Sequence, residues 1–237
     1  KQMTFFAMPI FLGNLFQQLY NTVDSLIVGN FLGSSALAAV SSSGSLIFML
    51  IGFLSGISAG AGVIVARFFG AGDEKNLQRA VHTTVAFGLV AGVLMTGVGV
   101  ALSPQILRWM DTPESVMRES VTYLQIYFAG SLGFVMYNVL VGILQAVGDS
   151  RHPLYYLIVS SVINLVLDLL FITGFHTGVG GAAVATVISQ IVSALLCFWQ
   201  LLRTKESYGL KIRKIRFDKG ILVQIIKIGL PSGVQNS

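Results

Sequence analysis

Long apolar stretches alternate with short polar segments along the 237-residue chain. Six stretches are long enough to cross a bilayer as helices, because one span needs about 20 apolar residues. They lie near residues 4–28, 37–66, 83–102, 121–147, 154–175 and 180–202, and a seventh begins near residue 220. Strands of a membrane barrel would instead alternate apolar and polar positions. The pattern therefore predicts an all-α membrane protein built on a bundle of six transmembrane helices.

The composition agrees with a membrane protein. Hydrophobic residues make up 54% of the chain and charged residues 11%, with a mean hydropathy of +0.78. A soluble domain normally carries about twice that charge. A lone cysteine, Cys197, rules out an intrachain disulfide and a cysteine-based metal site. Three histidines stand near the ends of apolar stretches, where an interfacial position is expected: His82, His152 and His176.

The lysines and arginines are distributed unevenly between the connections. Most of the 15 basic residues follow the second, fourth and sixth apolar stretches, and none follows the first or the fifth. By the positive-inside rule, the even-numbered connections and the N-terminus are predicted to be cytoplasmic, in a multi-pass protein of the cell membrane. The basic stretch "LKIRKIRFDK" then becomes a cytoplasmic linker. Contact with membrane lipid is favoured over nucleic-acid binding, because topology alone accounts for the charge.

The last residues of the chain repeat its first helix. The stretch "IGLPSGVQNS" at 228–237 aligns its proline and its asparagine with those of "FAMPIFLGNL" at 6–15. Each stretch lies in the first helix after a cytoplasmic segment, which predicts a parallel repeat of six helices. Residues 1–202 then form one six-helix lobe, 203–219 a basic linker, and 220–237 the start of helix seven. The rest of a second lobe is missing from this sequence.

Two aspartates, Asp24 and Asp168, interrupt apolar stretches. A charged side chain at the centre of a bilayer costs about 2.5–3.5 kcal/mol on insertion scales, so each acid needs a reason. The face of the first helix that carries the acid holds Gln17, Tyr20 or Asn21, and Asp24. Asn164 precedes Asp168 by one turn on the fifth helix. Lipid cannot satisfy such groups, so both polar faces are predicted to point at protein or at a water-filled cavity.

Helix direction and rise place three polar residues at a similar depth. Counted at about 1.5 Å per residue from the helix ends, Asp24, Asp168 and Thr186 fall within about one turn of each other. Two carboxylates, the amide of Asn164 and a hydroxyl suit a hard monovalent cation, and a buried carboxyl pair can also take up and release protons. These four residues are therefore predicted to bind a coupling cation, with Na⁺ as the metal. The alternative is that each acid only fixes helix packing.

Several longer stretches point to one family. They are "MPIFLGNLFQQLYNTVDSLIVGNFLG", "ARFFGAGDEKNLQRA", "ILQAVGDSRHP", "NLVLDLLFI" and "GVGGAAVATVISQ". In combination they make the whole chain resemble the N-terminal half of a MATE (multidrug and toxic compound extrusion) transporter. The resemblance implies a twelve-helix fold of two six-helix lobes arranged as a V, of which this chain is the first lobe.

The resemblance also implies an activity and a set of site residues. Members of the family are antiporters, in which entering H⁺ or Na⁺ drives the expulsion of small organic, often cationic, compounds; no further cofactor is implied. The implied cation site consists of Asp24, Asn164, Asp168 and Thr186. Tyr20 and Asn138 match polar positions that line the cavity of this lobe, and Gln17 is assigned to the same cavity.

The residues bear on two other functions. Intramembrane aspartyl proteases resemble one another in Y-D, G-x-G-D and P-A-L motifs, whereas this chain has "VD", "LD" and "VGDS" and lacks P-A-L. An enzyme is therefore not expected. A lipid-linked oligosaccharide flippase of the same superfamily is the closer alternative. Its anionic substrate would favour basic residues inside the cavity, and the interiors of the six stretches carry none.

Overall fold

The computed structural model describes the backbone of residues 2–236, and their side chains except for those of residues 2–7, 14, 20, 21, 34, 35, 42, 45 and 236. This part of the chain is almost entirely helical and contains no strand. Its α-helices are α1 (Gln2–Leu32), α2 (Ser34–Gly70), α3 (Glu74–Trp109), α4 (Glu114–Ala129), α5 (Ser131–Ala146), α6 (Arg151–Leu169), α7 (Gly178–Arg203) and α8 (Lys219–Asn236). The predicted all-α membrane bundle is confirmed.

The helices have the length that a bilayer demands. Within the described residues, four helices are long and apolar enough to cross a membrane, namely α2, α3, α6 and α7, and the bent pair α4 and α5 counts as a fifth if it forms one span. The first helix, α1, is 31 residues long. It packs along α6 and α2. Together these elements correspond to the six predicted apolar stretches.

The fourth predicted stretch, 121–147, is not one straight helix. It consists of α4 and α5, which meet at Gly130 with a bend of 50°. A Cβ atom at Gly130 would clash with the side chain of Val187 on α7. The bend therefore forms where a residue without a side chain lets α7 approach, and a Gly–Ser pair is a common place for a helix to kink.

Glycines bring α2 and α8 into direct backbone contact. A Cβ atom at Gly56 would clash with the backbone of Gly233, and one at Gly60 would clash with the backbone of Gly229. Small residues at such positions let membrane helices approach closely enough for backbone packing. This seam attaches α8, the predicted first helix of a second lobe, to the six-helix bundle.

One of the three histidines, His82, is buried inside the protein rather than exposed at its surface. His82 on α3 is 2% exposed. Its Nδ1 faces the carbonyl oxygen of Gln78 at 2.6 Å, and its Nε2 accepts a hydrogen bond of 3.0 Å from the backbone N–H of Lys211. The segment between α7 and α8 folds over this ring, and that long-range contact is what buries it.

We predict that Gly56→Ala loosens the seam between α2 and α8. The new methyl group meets backbone rather than a movable side chain, and overpacking of this kind costs about 1–3 kcal/mol. Hydrogen–deuterium exchange of the α8 backbone should become faster. Gly44→Ala is the matched control, since it lies on the same helix and no atom stands within 4 Å of its added Cβ. Equal exchange in the two variants would contradict the seam.

Candidate cation site and polar cleft

Asp168 lies at the end of α6 and is completely buried. The helix does not stop there: a π-helical turn, Leu170–Gly174, follows directly. In this turn the N–H of Phe175 donates to the carbonyl oxygen of Leu170 at 3.0 Å. Single π-turns within helices are frequent at functional sites. The irregular turn thus directly follows the helical turn that carries the buried acid.

Asp24 reaches Asp168 from the neighbouring helix. Asp24 lies on α1 and is partly buried, and its carboxyl group is close enough to that of Asp168 for the two to interact. Two ionised carboxylates in contact repel each other, so one proton or a cation must offset the charge. The structure therefore brings together the two acids that the sequence placed at a similar depth on separate helices.

Asn164 and Thr186 complete the group. Asn164 is 1% exposed and Thr186 7%. In the amide orientation that satisfies both of its polar atoms, Asn164 Nδ2 donates to Oδ2 of Asp168 at 2.8 Å, and its Oδ1 accepts from the backbone N–H of Thr186 at 3.1 Å. The Thr186 hydroxyl donates to the carbonyl oxygen of Ala182 at 3.0 Å, which leaves its oxygen lone pairs unused.

Two oxygen atoms of the group have no hydrogen-bond donor. Among the described residues, Oδ1 of Asp24 and Oδ1 of Asp168 are both buried without a partner. A buried, unsatisfied carboxylate oxygen is costly in a bilayer. A hard cation or a proton would satisfy these atoms, so the residues present fit the predicted cargo. Their role in binding it stays a prediction.

Gln17 and Asn138 lie in a separate cleft. Its volume is about 560 Å³, and α1, α2, α5, α6 and α7 form its walls. Asn138 Nδ2 donates to the carbonyl oxygen of Phe134 in its own helix at 2.9 Å. The described residues that line the cleft are apolar, aromatic or neutral polar, and none is charged. The side chain of Tyr20, the third residue predicted for this cavity, lies outside the described residues.

A narrow polar pocket of about 10 Å³ adjoins the cleft and shares Gln17 and Gln190 with it. Gln17 lines it together with Ser160 of α6 and with Ser189 and Gln190 of α7. Ser189 donates to the carbonyl oxygen of Thr186 at 2.8 Å. The two α7 residues, Ser189 and Gln190, were not predicted from the sequence. Their spacing of three and four residues after Thr186 is the signal that could have found them.

Comparison with known families gives a direct match. The MatE family model matches residues 9–170 of the chain. The chain belongs to the MatE family. The matched region contains both aspartates and Asn164, while Thr186 lies beyond it.

Curated relatives of this MatE chain are bacterial proteins with multidrug names. It is 35% identical to "Probable multidrug resistance protein YoeA" of Bacillus subtilis (strain 168), with 99% of this chain and 52% of the relative covered. It is 26% identical to "Multidrug export protein MepA" of Staphylococcus saprophyticus, with 98% and 51% covered. The chain thus spans about half the length of the curated relatives it matches.

Solved MATE structures share the fold. "Crystal structure of MATE in the bent conformation" superposes with a TM-score of 0.91 at 28% identity, covering 98% of this chain and 52% of that one. An outward-facing MATE family transporter of the MOP superfamily gives 0.91 at 27% identity, covering 100% and 52%. An inward-facing member gives 0.85 at 29% identity, covering 93% and 50%. The MatE chain therefore has the fold of one half of a MATE transporter.

We predict that Asn164→Ala destabilises the MatE chain by about 1–3 kcal/mol, the usual cost of leaving buried polar partners unsatisfied. It removes the donor to Asp168 and the acceptor for Thr186. Ser161→Ala is the control, since its hydroxyl bonds only to the carbonyl oxygen of Leu157 within α6. Thermal unfolding in detergent, followed by circular dichroism, measures both. A smaller loss for Asn164→Ala than for Ser161→Ala would argue against the hydrogen bonds described.

Proposed function

We propose that this chain is the N-terminal lobe of a multidrug exporter that works as an antiporter, taking in H⁺ or Na⁺ and expelling small organic compounds. The observation that carries the proposal is the contact between the Asp24 and Asp168 carboxyl groups, with a buried and unpartnered oxygen on each. The multidrug names of the relatives agree with export. Transport itself would belong to a protein with both lobes.

The coupling cation would be held by oxygen atoms of four side chains. Asp24 and Asp168 supply the negative charge, while Asn164 and Thr186 supply neutral oxygens or orient the acids. A proton needs only the two carboxyl groups, which then titrate as a pair. The neutral oxygens are surplus for a proton but are natural ligands of a hard cation. We therefore favour a site at which Na⁺ and H⁺ compete.

The organic compound would occupy the uncharged cleft. A volume of about 560 Å³ falls within the range of small-molecule pockets, and a mostly apolar wall with a few polar groups is typical of them. Gln17 lines both the cleft and the narrow polar pocket that leads towards Thr186. Occupation of one site can change affinity at the other through these shared groups, and such coupling is reciprocal. If binding of the cation lowers the affinity for the organic compound, and the reverse, the lobe exchanges one for the other.

The flippase alternative finds little support. A lipid-linked oligosaccharide carries phosphate charges, and the described lining of the cleft offers no basic side chain to bind them. The relatives are named for multidrug resistance or export. An assay of dye efflux against lipid flipping in the same vesicles separates the two functions.

We predict that Asp24→Asn and Asp168→Asn each abolish coupled efflux by the full-length protein and leave it folded. The substitution removes the charge that binds the coupling cation, while insertion of a neutral amide is no harder than insertion of a carboxylate. Dye efflux from energised cells measures the loss, and the amount of protein in the membrane checks folding. Normal drug resistance of Asp168→Asn would mean that the acid is structural.

We further predict that Na⁺ binding weakens as the pH falls through the titration of the carboxyl pair, since protons then occupy the ligands. Thr186→Val should weaken Na⁺ binding while leaving the protonation of the pair nearly unchanged, because it removes a neutral oxygen and no charge. Isothermal titration calorimetry across pH 6–8, as an approximate range around neutrality, measures both effects. Efflux that follows only the pH gradient, with no Na⁺ binding detected, would establish proton coupling instead.

A further inference from the structure

A second cavity, of about 650 Å³, opens where α3 and α8 begin. The first turns of α3 and part of the linker between α7 and α8 form its wall. Its basic side chains are Lys75, Arg79, Arg213, Lys214 and Arg216, and its acidic ones within the described residues are Glu74 and Asp218. This basic pocket carries a net positive charge, so its field favours an anion.

Hydrogen bonds to α3 hold the linker side of the basic pocket in place. The buried hydroxyl of Thr83 accepts from the backbone N–H of Asp218 at 3.1 Å and donates to the carbonyl oxygen of Arg216 at 3.4 Å. On the other side of Arg213 and Lys214, the backbone N–H of Lys211 donates to His82. The basic side chains therefore project from a backbone that is already ordered, which lowers the entropic cost of binding a ligand.

Two acids near the basic pocket have partners other than the basic side chains of the linker. Oδ1 of Asp218 accepts from the backbone N–H of Ile221 at the start of α8, and Oδ2 lies 3.9 Å from Arg79. Asp73 caps α3: hydrogen bonds from the backbone and side chain of Asn76 lower the pKa of its carboxyl and keep it ionised in that role. Among the described residues, no acid lies within ion-pair distance of Arg213, Lys214 or Arg216, the basic side chains that the linker contributes to the pocket.

Exposed apolar side chains accompany the basic pocket. Ile212 is 61% exposed and Phe217 45%, and both lie among the basic residues of the linker. At the same end of the bundle, the guanidinium of Arg203 lies 4.5 Å from the centre of the Trp199 ring, and tryptophan is typical of the membrane interface. A soluble phosphate or an RNA would leave Ile212 and Phe217 in water, whereas a lipid would cover them.

We propose that the basic pocket binds the phosphate headgroup of an anionic phospholipid. Arg213, Lys214 and Arg216 contact the phosphate oxygens, and Ile212 and Phe217 lie against the upper part of the acyl chains. The lipid anchors the linker that joins the six-helix bundle to α8. This site is separate from the cation site and from the cleft, so it stands whether or not the proposed antiport is correct.

The test uses this chain in nanodiscs that contain phosphatidylglycerol and phosphatidylcholine. Native mass spectrometry after release counts the phosphatidylglycerol molecules that stay bound. The variant Arg213→Gln/Lys214→Gln should retain this lipid roughly 30-fold less, because two basic residues at about 1 kcal/mol each contribute about 2 kcal/mol. The control Lys205→Gln/Lys211→Gln removes the same charge from the same linker, outside the basic pocket, and should change retention less than about twofold.

Two further measurements complete the test. Ile212→Ser/Phe217→Ser keeps every charge and should also weaken lipid retention, with the helical content unchanged by circular dichroism. Glycerol 3-phosphate and inorganic phosphate, titrated in detergent, should bind far more weakly than the lipid. Equal loss of lipid in the two charge variants would overturn the site, because it would leave only general charge attraction. Tight binding of either soluble phosphate, or displacement of the lipid by an RNA oligonucleotide, would overturn the assignment to a lipid.

Discussion

Inside a membrane no water is available to hydrogen-bond a buried charge. In this chain that constraint applies most strongly to Asp24 and Asp168, whose carboxyl groups lie close together. Each acid would cost about 2.5–3.5 kcal/mol on its own in an apolar helix. Asp168 lies close to Asp24 and accepts a hydrogen bond from Asn164. The π-turn begins directly after the helix that carries it. Among the described residues, the two Oδ1 atoms have no hydrogen-bond donor, which is why we propose that a proton or a cation binds there.

Close approach of helices is the second requirement of the fold, since lipid offers no hydrophobic drive for helices to associate. Glycines allow this close approach at two places in the structure. Gly130 allows the α4–α5 bend to accommodate Val187, and the glycines of α2 and α8 bring two backbones into contact. The first device shapes the six-helix bundle. The second attaches the helix that begins the predicted second lobe.

The polar residues fall into three regions with different chemistry. Acids and neutral oxygens meet at the cation site, neutral polar and apolar groups line the cleft, and basic groups gather where α3 meets the linker. A narrow pocket lined by Gln17 and serines adjoins the cleft, and its Ser189 donates to the carbonyl oxygen of Thr186. The proposed cation, organic compound and lipid would therefore each bind in a different region of the lobe.

Much of this organisation follows from the sequence alone. Apolar length predicts the spans, the insertion cost singles out Asp24 and Asp168, and the 3.6-residue period puts Asn164 on the face of Asp168. These are local properties of a helix in lipid, so they need no knowledge of neighbouring helices. A common rise per residue even placed Asp24, Asp168 and Thr186 at a similar depth.

The tertiary structure decided which helices and side chains are neighbours. Depth along a helix does not say which helices are neighbours. Only the folded bundle shows that the two acids lie close together and that Asn138 lines the cleft. The break at Gly130 depends on Val187, far along the chain, and His82 is buried by a linker that follows it by more than a hundred residues. Such contacts form between side chains that are distant in sequence, and no local period or composition encodes them.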